Sequence, residues 1–189
     1  MKVRTRAELI AALATEPAAD YLFFWGHTPS GDGEVGKWCL SQWYPAAFTL
    51  QGVEYRTAEH YMMAEKARLF DDREAHAAIV ACADPAAAKK LGRGVRGFDQ
   101  GVWKAHRDQI VLRGSVAKFG QSPALKAYLV GTGDQVLVEA SPHDRIWGVG
   151  LSEDDSRIHN PALWRGENLL GFVLMEARAQ LRETPDAPA

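Results

Sequence analysis

The segment that decides the fold runs from Thr57 to Ala67 and reads TAEHYMMAEKA. Thr57 is a good N-cap residue, so we predict that a helix starts behind it and ends near Phe70. With about 3.6 residues per turn, positions 59, 63, 66 and 70 return to one side of such a helix. This side reads Glu59, Met63, Lys66 and Phe70. The helix therefore places two ionisable side chains, roughly 10 Å apart along its axis, among apolar neighbours.

Glu59 and Lys66 have two interpretations. A glutamate in the first helical turn is favoured by the helix macrodipole alone, and a helical lysine usually extends its charge into solvent. Alternatively, the two side chains flank a sugar between them, and the apolar stripe removes water from the lysine. Loss of solvation lowers the pKa of a lysine and makes its free amine available. The pattern alone leaves both interpretations open.

Cap and proline signals on both sides of this helix predict a mainly helical domain. We predict further helices from Thr5 to about Glu16, from Asp71 or Asp72 to about Cys82, from Asp84-Pro85 onward, from Asp99 to Phe119, from Ser122-Pro123 to about Gly131 and from about Asn168 to Arg182. Strands are expected at Tyr21–Trp25 and Gln135–Ala140, and a hairpin at 48–55 with Gln51-Gly52 in its turn. Loops are expected at 26–36 and 141–166.

These elements sum to an α+β, mainly helical single domain of about seven helices with a small antiparallel β-sheet. We assign residues 1–20 to an N-terminal helix, 21–182 to the main domain and 183–189 to a flexible tail.

The composition agrees with one globular domain, since the 189 residues are 47% hydrophobic and 24% charged. No apolar run approaches the roughly 20 residues of a membrane helix, and the amino terminus is too charged for a signal peptide. We therefore expect a cytoplasmic protein. Cys39 and Cys82 stand in unrelated contexts and are expected to be reduced thiols. The net charge of −2 is not typical of a protein whose whole surface attracts nucleic acid, although a local basic patch is compatible with it.

Two motif matches fail on their context. Residues 92–97 read GRGVRG, which matches the dinucleotide fingerprint, but a helix end precedes them where a strand is required. Gly92 is more simply the C-cap of that helix. His60 and Glu65 lie five residues apart, a poor spacing for shared metal ligation on a helix. We expect neither a metal nor a cofactor.

Two later segments carry polar residues suited to a site. Residues 139–150 read EASPHDRIWGVG and enter a loop with a carboxylate, an indole and glycines. Asp144 either acts in a pocket there or caps a turn, and Trp147 either lines the pocket or fills core. Asn168 is a natural N-cap at a helix start that also suits a phosphate.

TAEHYMMAEKA, together with CLSQWYPAAF at 39–48, DRIWGVG at 144–150 and GENLLGFVLMEAR at 166–178, resembles the NADAR or YbiA-like family. The resemblance covers about Tyr21 to Arg182. It implies a mainly helical N-glycosidase. Some members act on ribosylamino-pyrimidine phosphates, early intermediates of riboflavin synthesis. Others remove ADP-ribose from guanine bases in nucleic acid, as partners of a DNA-modifying toxin.

The resemblance also implies site residues. It carries over Glu59, Lys66 and Asp144 as the catalytic set. It marks as pocket or frame residues Trp25, Gly26, Trp43, Tyr44, Trp147, Gly148 and Asn168. This chain has Ser-Gln-Trp-Tyr at 41–44 where many relatives have Ser-Asn-Phe-Tyr, which leaves the preferred base open.

A basic cluster adds a further expectation. It consists of Lys89, Lys90, Arg93 and Arg96. It is either a solvated helix end, whose cations suit the C-terminal dipole, or a contact for substrate phosphates, with Arg93 and Arg96 as binding residues.

The expected function is hydrolysis of an N-glycosidic bond to ribose, with ADP-ribosylated guanine ahead of ribosylated pyrimidine phosphates as substrate. If ADP-ribosylated guanine is the substrate, the resemblance also implies that the modified base lies in DNA and that a DNA-modifying toxin is the partner. Glu59 or Asp144 would supply the acid and the electrostatic partner, Lys66 would form a Schiff base with C1, and Trp25 and Trp147 would stack on the base. The alternative is a non-catalytic module that binds ADP-ribose or a nucleotide.

Overall fold

The computed structural model describes residues 3–15, 19–29 and 35–183. Its elements, in chain order, are α1 Arg6–Leu13, β1 Tyr21–Phe24, a 3-10 helix Lys37–Leu40, β2 Phe48–Leu50, β3 Val53–Tyr55, α2 Ala58–Leu69, α3 Arg73–Ala81, α4 Pro85–Arg93, α5 Gln100–Gly120, α6 Pro123–Gly131, β4 Val136–Glu139, 3-10 helices Ser156–His159 and Pro161–Leu163, and α7 Leu169–Glu183. The predicted end of the first helix at Glu16 lies outside the described residues, as do residues 184–189 of the predicted tail, whereas Glu183 is the last residue of α7. The mainly helical α+β prediction is confirmed.

Side-chain caps fix where the helices begin. In each of α1 to α6, the residue before the helix accepts a hydrogen bond from the backbone N–H three residues later. These capping residues are Thr5, Thr57, Asp72, Asp84, Asp99 and Ser122. Of the two candidates for α3, Asp72 caps the helix and Asp71 does not. The predicted helix starts are therefore confirmed.

The strands form two separate pairs. β2 and β3 make the predicted antiparallel hairpin, and its turn residues Gln51 and Gly52 have φ values of 52° and 78°. Two successive positive φ angles give a turn whose twist matches the strands. β1 and β4 pair in parallel, with Phe24 opposite Glu139. Since parallel strands end at the same edge, the residues that follow β1 and β4 emerge side by side.

Helix α2 lies at the centre of the helical layer. It packs against α3, α4 and α5, and residues 58–67 are all buried. Some of its polar side chains are satisfied locally, since Glu65 accepts two hydrogen bonds from Arg68 and His60 Nδ1 lies 2.8 Å from Thr57 Oγ1. A helix buried on every side brings its ionisable groups into the interior.

Asn168 corrects the predicted cap of the last helix. Its φ is 57°, and its side chain bonds to β4 rather than to the first turn of α7. Asn168 Oδ1 accepts from the Glu139 N–H, and Nδ2 donates to the Leu137 carbonyl, each at 2.9 Å. An amide side chain carries both a hydrogen-bond donor and an acceptor, so Asn168 makes the hydrogen bonds to β4 that a neighbouring strand would otherwise make. Asn168 therefore fixes the end of that strand.

The N-terminal helix packs against the rest of the chain. Leu9 is fully buried, and Arg6 Nε donates to the Pro161 carbonyl at 2.7 Å. Among the described residues, no helix is both long and apolar enough to cross a bilayer.

Candidate active site

A cleft with two connected lobes lies between α2, α4 and the loop that follows β4. The first lobe has a volume of about 500 Å³ and is bordered by Glu59, Lys66 and Trp147. The second, of about 460 Å³, is bordered by Trp25, Gly26 and His27. The residues shared by both lobes include Trp43, Lys89, Arg93, Glu139, His143 and Asp144. The cleft thus combines carboxyl groups, cations and aromatic rings.

Glu59 is a buried carboxyl group that faces the first lobe. It is 3% exposed, and its Oε1 has no hydrogen-bond partner among the described residues. Burial raises the pKa of Glu59 to about 7, while the charge of Lys89 and a hydrogen bond from Trp43 oppose the rise. Near neutral pH, this group is therefore able both to take up and to release a proton.

Glu139 is a second carboxyl group of the cleft, partly buried as a residue, and the sequence did not single it out. Its N–H donates to Asn168 and its carbonyl accepts from the Val149 N–H at 3.0 Å, so the backbone is held on both sides. Its Oε2 is buried without a partner in the described part of the chain. Burial, followed by the charge of Asp144, raises the pKa of Glu139 to about 8. An acidic residue that closes an otherwise apolar strand was the available signal.

Lys66 borders the first lobe together with the carboxyl groups. The residue is 9% exposed, its Nζ donates to the Gly92 carbonyl at 2.7 Å, and it lies 4.1 Å from the centre of the Phe98 ring. Burial, with the charge of Arg93, lowers the pKa of Lys66. The apolar stripe of α2 thus has the effect on the lysine that we expected.

Gly92 is not the C-cap of α4. The helix continues through Arg93, and Gly94 follows as its cap. Gly92 packs so closely against Met63 that a Cβ has no room. This contact brings the Gly92 carbonyl within reach of the Lys66 amine.

Asp144 both caps a turn and faces the cleft. Its Oδ1 accepts from the N–H groups of Ile146 and Trp147, each at 2.8 Å. It also borders both lobes, and its charge raises the pKa of Glu59 and of Glu139. The capping and pocket interpretations are therefore compatible.

We expect Asp144→Asn to separate these two roles. The asparagine Oδ1 still accepts both N–H groups, so the melting temperature should stay near that of the wild type while kcat falls by about 10²-fold through loss of the charge. Asp144→Ala, which removes the acceptor as well, should lower both. Turnover assays and thermal melts of the two variants check this. If Asp144→Asn keeps full activity per folded molecule, Asp144 is a turn cap only.

Aromatic rings line the walls of the cleft. Trp43 and His27 lie with their ring centres 5.6 Å apart, and Lys89 Nζ is 5.8 Å from the Trp43 ring. Trp147 borders the first lobe, and Trp25, which is 58% exposed, borders the second. Each lobe therefore offers a flat apolar surface against which a base or a ribose can pack.

Three expected pocket residues lie outside both lobes, in the segments next to the cleft. Asn168 holds β4, as described above. A Cβ on Gly148 would lie 2.9 Å from the Glu139 carbonyl, so this glycine permits the close approach of two backbone segments. Tyr44 is half-buried against the core, with its ring centre 5.6 Å from Lys118 Nζ. None of the three borders either lobe.

Only part of the basic cluster borders the cleft. Lys89 and Arg93 border both lobes, whereas Lys90 is exposed outside them. Arg96 borders neither lobe, and its guanidinium pairs with Asp72 at 2.7 Å at the start of α3. A contact of Arg96 with substrate stays a prediction. Among the described residues, no group of three or more metal-ligating side chains converges.

Comparison with known proteins assigns the family. The family model described as "NADAR domain" matches residues 23–182. The chain belongs to the NADAR family. An N-glycosidase of Acanthamoeba polyphaga mimivirus is 41% identical over 165 residues, which cover 85% of this chain and 95% of the viral protein. N-glycosidase YbiA of Escherichia coli is 31% identical over 132 residues, covering 70% of this chain and 74% of YbiA.

Two further matches concern a longer protein and a solved structure. A riboflavin biosynthesis protein of Vibrio vulnificus is 31% identical over 144 residues, which cover 76% of this chain but 35% of that protein. The NMR structure of Escherichia coli YbiA superposes with a TM-score of 0.69 at 27% identity, covering 89% of this chain and 88% of that one. The predicted family and fold are confirmed, and the expected enzyme class agrees with the names of the relatives.

Proposed function

We propose that this NADAR chain hydrolyses the N-glycosidic bond between ribose C1 and an amino group of a nucleobase, with ADP-ribosylated guanine in nucleic acid as the preferred substrate. The observation that carries the proposal is that the buried Glu59, the partly buried Glu139 and the desolvated Lys66 border one cleft. N-glycoside cleavage needs a proton for the departing nitrogen and a partner for the charge or bond that develops at C1. Glu59, Lys66 and Glu139 meet these needs together.

The two-lobed shape favours the larger substrate. ADP-ribosylated guanine carries bulky groups on both sides of the scissile bond, so it occupies both lobes. The shared cations Lys89 and Arg93 lie where a diphosphate needs partners. A ribosylamino-pyrimidine phosphate is smaller and fills one lobe. If the substrate lies in DNA, the natural partner is an enzyme that ADP-ribosylates guanine, and this chain acts as its antitoxin.

The proposed reaction passes through Lys66. In the ring-opened sugar C1 is doubly bonded to the base nitrogen. The neutral Lys66 amine adds to C1, and the Glu59 carboxylate passes the proton released by the amine to that nitrogen, so Glu59 is again a carboxylate. Expulsion of the base leaves a Schiff base between Lys66 and C1. Water then adds to C1, the C1–Lys66 bond breaks, and the sugar and the free amine are regenerated.

A comparison of two substrates tests this proposal. The chain is incubated with an oligonucleotide that carries ADP-ribosylguanine and, separately, with a ribosylamino-pyrimidine phosphate, and kcat/KM is measured for each. We expect free ADP-ribose and unmodified DNA, with the higher kcat/KM for the first substrate. A higher value for the second would assign the site to riboflavin intermediates. Binding of either without product would favour the non-catalytic module.

The cations that border both lobes should act on substrate binding. We expect the double variant Lys89→Gln/Arg93→Gln to raise KM by about 10- to 100-fold, because each lost charge-assisted bond to a phosphate costs roughly 1.5 kcal/mol or more. Its kcat should change much less, and the salt dependence of binding should weaken.

A matched control removes the same charge outside the cleft. Lys90→Gln/Lys104→Gln alters two exposed lysines and should leave KM and its salt dependence unchanged. Equal KM values for the two double variants would show that Lys89 and Arg93 do not hold the phosphates.

A further inference from the structure

We infer that Glu139 is the acid that protonates the departing nitrogen, an assignment that rests on the proposed N-glycosidase function. Glu139 borders both lobes of the cleft, whereas Glu59 and Lys66 border only the first. A substrate with its sugar in the first lobe and its base in the second has its scissile bond where the lobes meet. Glu139 is the glutamate at that junction.

The end of β4 holds Glu139 in place. Its N–H is bound by Asn168 Oδ1 at 2.9 Å and its carbonyl by the Val149 N–H at 3.0 Å. The parallel pairing of Phe24 with Glu139 fixes the position of the strand end relative to Trp25, which follows β1. The carboxyl group and the surface on which the base packs are thus set by the same pair of strands.

The surroundings of Glu139 favour its protonated form. Its Oε2 is buried without a hydrogen-bond partner among the described residues, so a negative charge there would be uncompensated, whereas the side chain as a whole is only partly buried and borders both lobes. Burial and the charges of Asp144 and Glu59 raise the pKa of Glu139 to about 8, against a smaller opposing effect of Lys89. At neutral pH the group therefore holds a proton.

The other two carboxyl groups are placed for different tasks. Glu59 accepts a hydrogen bond from the Trp43 indole, and an indole N–H only donates, so that bond favours the carboxylate form of Glu59. Asp144 Oδ1 already accepts the backbone N–H groups of Ile146 and Trp147, so this oxygen holds the turn. Glu59 is thus suited to act as a carboxylate, and Asp144 to fix the turn that leads to Trp147.

The step balances without any further reactant. The C1–N bond breaks, its electron pair stays on the nitrogen, and the nitrogen takes the Glu139 proton and leaves as a neutral amine. C1 stays covalently bonded to the Lys66 nitrogen while the base leaves, and the lone pair of that nitrogen forms the second bond of the protonated Schiff base. When water adds to C1, it returns a proton to the Glu139 carboxylate.

The test compares leaving groups that do and do not need a proton. Glu139→Gln is assayed with the amine-leaving substrate and with a 4-nitrophenyl riboside 5-phosphate, whose phenolate leaves unprotonated. We expect kcat to fall by about 10²- to 10⁴-fold with the first and by less than about tenfold with the second. Glu54→Gln, the same change at an exposed position, is the control and should match the wild type with both. Equal losses of Glu139→Gln with both substrates would overturn the assignment.

A pH profile decides the question independently of the artificial substrate. Wild-type kcat should fall as pH rises through about 8, and this basic limb should vanish in Glu139→Gln, measured on protein shown by thermal melting to be folded. Glu139→Asp keeps a carboxyl group on a shorter side chain, so it should retain the basic limb of the pH profile with a lower kcat. A basic limb unchanged in Glu139→Gln would contradict the role. Absence of products from the wild type with any substrate would instead refute the proposed function.

Discussion

We expect Lys66→Arg to lose at least about 10³-fold in kcat, although it keeps the positive charge. A guanidinium stays protonated at every physiological pH and has no lone pair with which to attack C1. The wild-type amine lies beside the Phe98 ring, and both burial and the charge of Arg93 lower its pKa. The loss would therefore report a nucleophile rather than a charge.

Trapping makes the same prediction visible without a mutation. Borohydride added during turnover should reduce the Schiff base and leave a sugar fixed to the protein. Peptide mapping should find the adduct at Lys66 and not at Lys89, which also borders the first lobe. An active Lys66→Arg enzyme with no adduct would mean that the carboxyl groups act without the lysine.

Glu59→Gln should lower kcat by about 10²- to 10⁴-fold, because it removes the carboxylate that accepts the proton of the attacking amine. The mechanism needs Glu59 ionised, so the wild-type rate should rise as pH passes upward through about 7. It needs Glu139 protonated, so the rate should fall above about 8. Since Glu59 and Glu139 interact, the two apparent pKa values of the profile describe the pair and not either residue alone.

The variant should alter one side of this profile only. Glu59→Gln should lose the acidic limb and keep the basic one, and kcat measured from pH 5 to pH 10 shows both. Glu54→Gln should reproduce the wild-type profile. An acidic limb that persists in Glu59→Gln would assign that ionisation to another group.

Local signals made much of the fold predictable. A cap such as Thr57 or Asp84 acts on a backbone N–H three residues away, so its evidence lies within one turn of sequence. The parallel pairing of β1 with β4 joins residues 21–24 to 136–139, and no local pattern contains that information. The burial of α2 on every side likewise follows from three helices packing around it.

The site residues likewise differ in whether local sequence or long-range packing reveals them. Glu59 and Lys66 share one helix, so periodicity and apolar neighbours indicated their common environment. Glu139 becomes notable only when β4 pairs with β1 and Asn168 closes its other edge. Arg96 was placed with the other cations by proximity in sequence, whereas Asp72, 24 residues earlier, holds it.

Product analysis under single-turnover conditions tests the central claim most directly. Wild-type protein in excess is mixed with an oligonucleotide that carries ADP-ribosylguanine, and the mass of every species is followed with time. We predict unmodified DNA, with the guanine amino group intact, and one free ADP-ribose for each modified base. A stable complex from which the oligonucleotide is recovered still modified would contradict the account and identify the cleft as a binding site without chemistry.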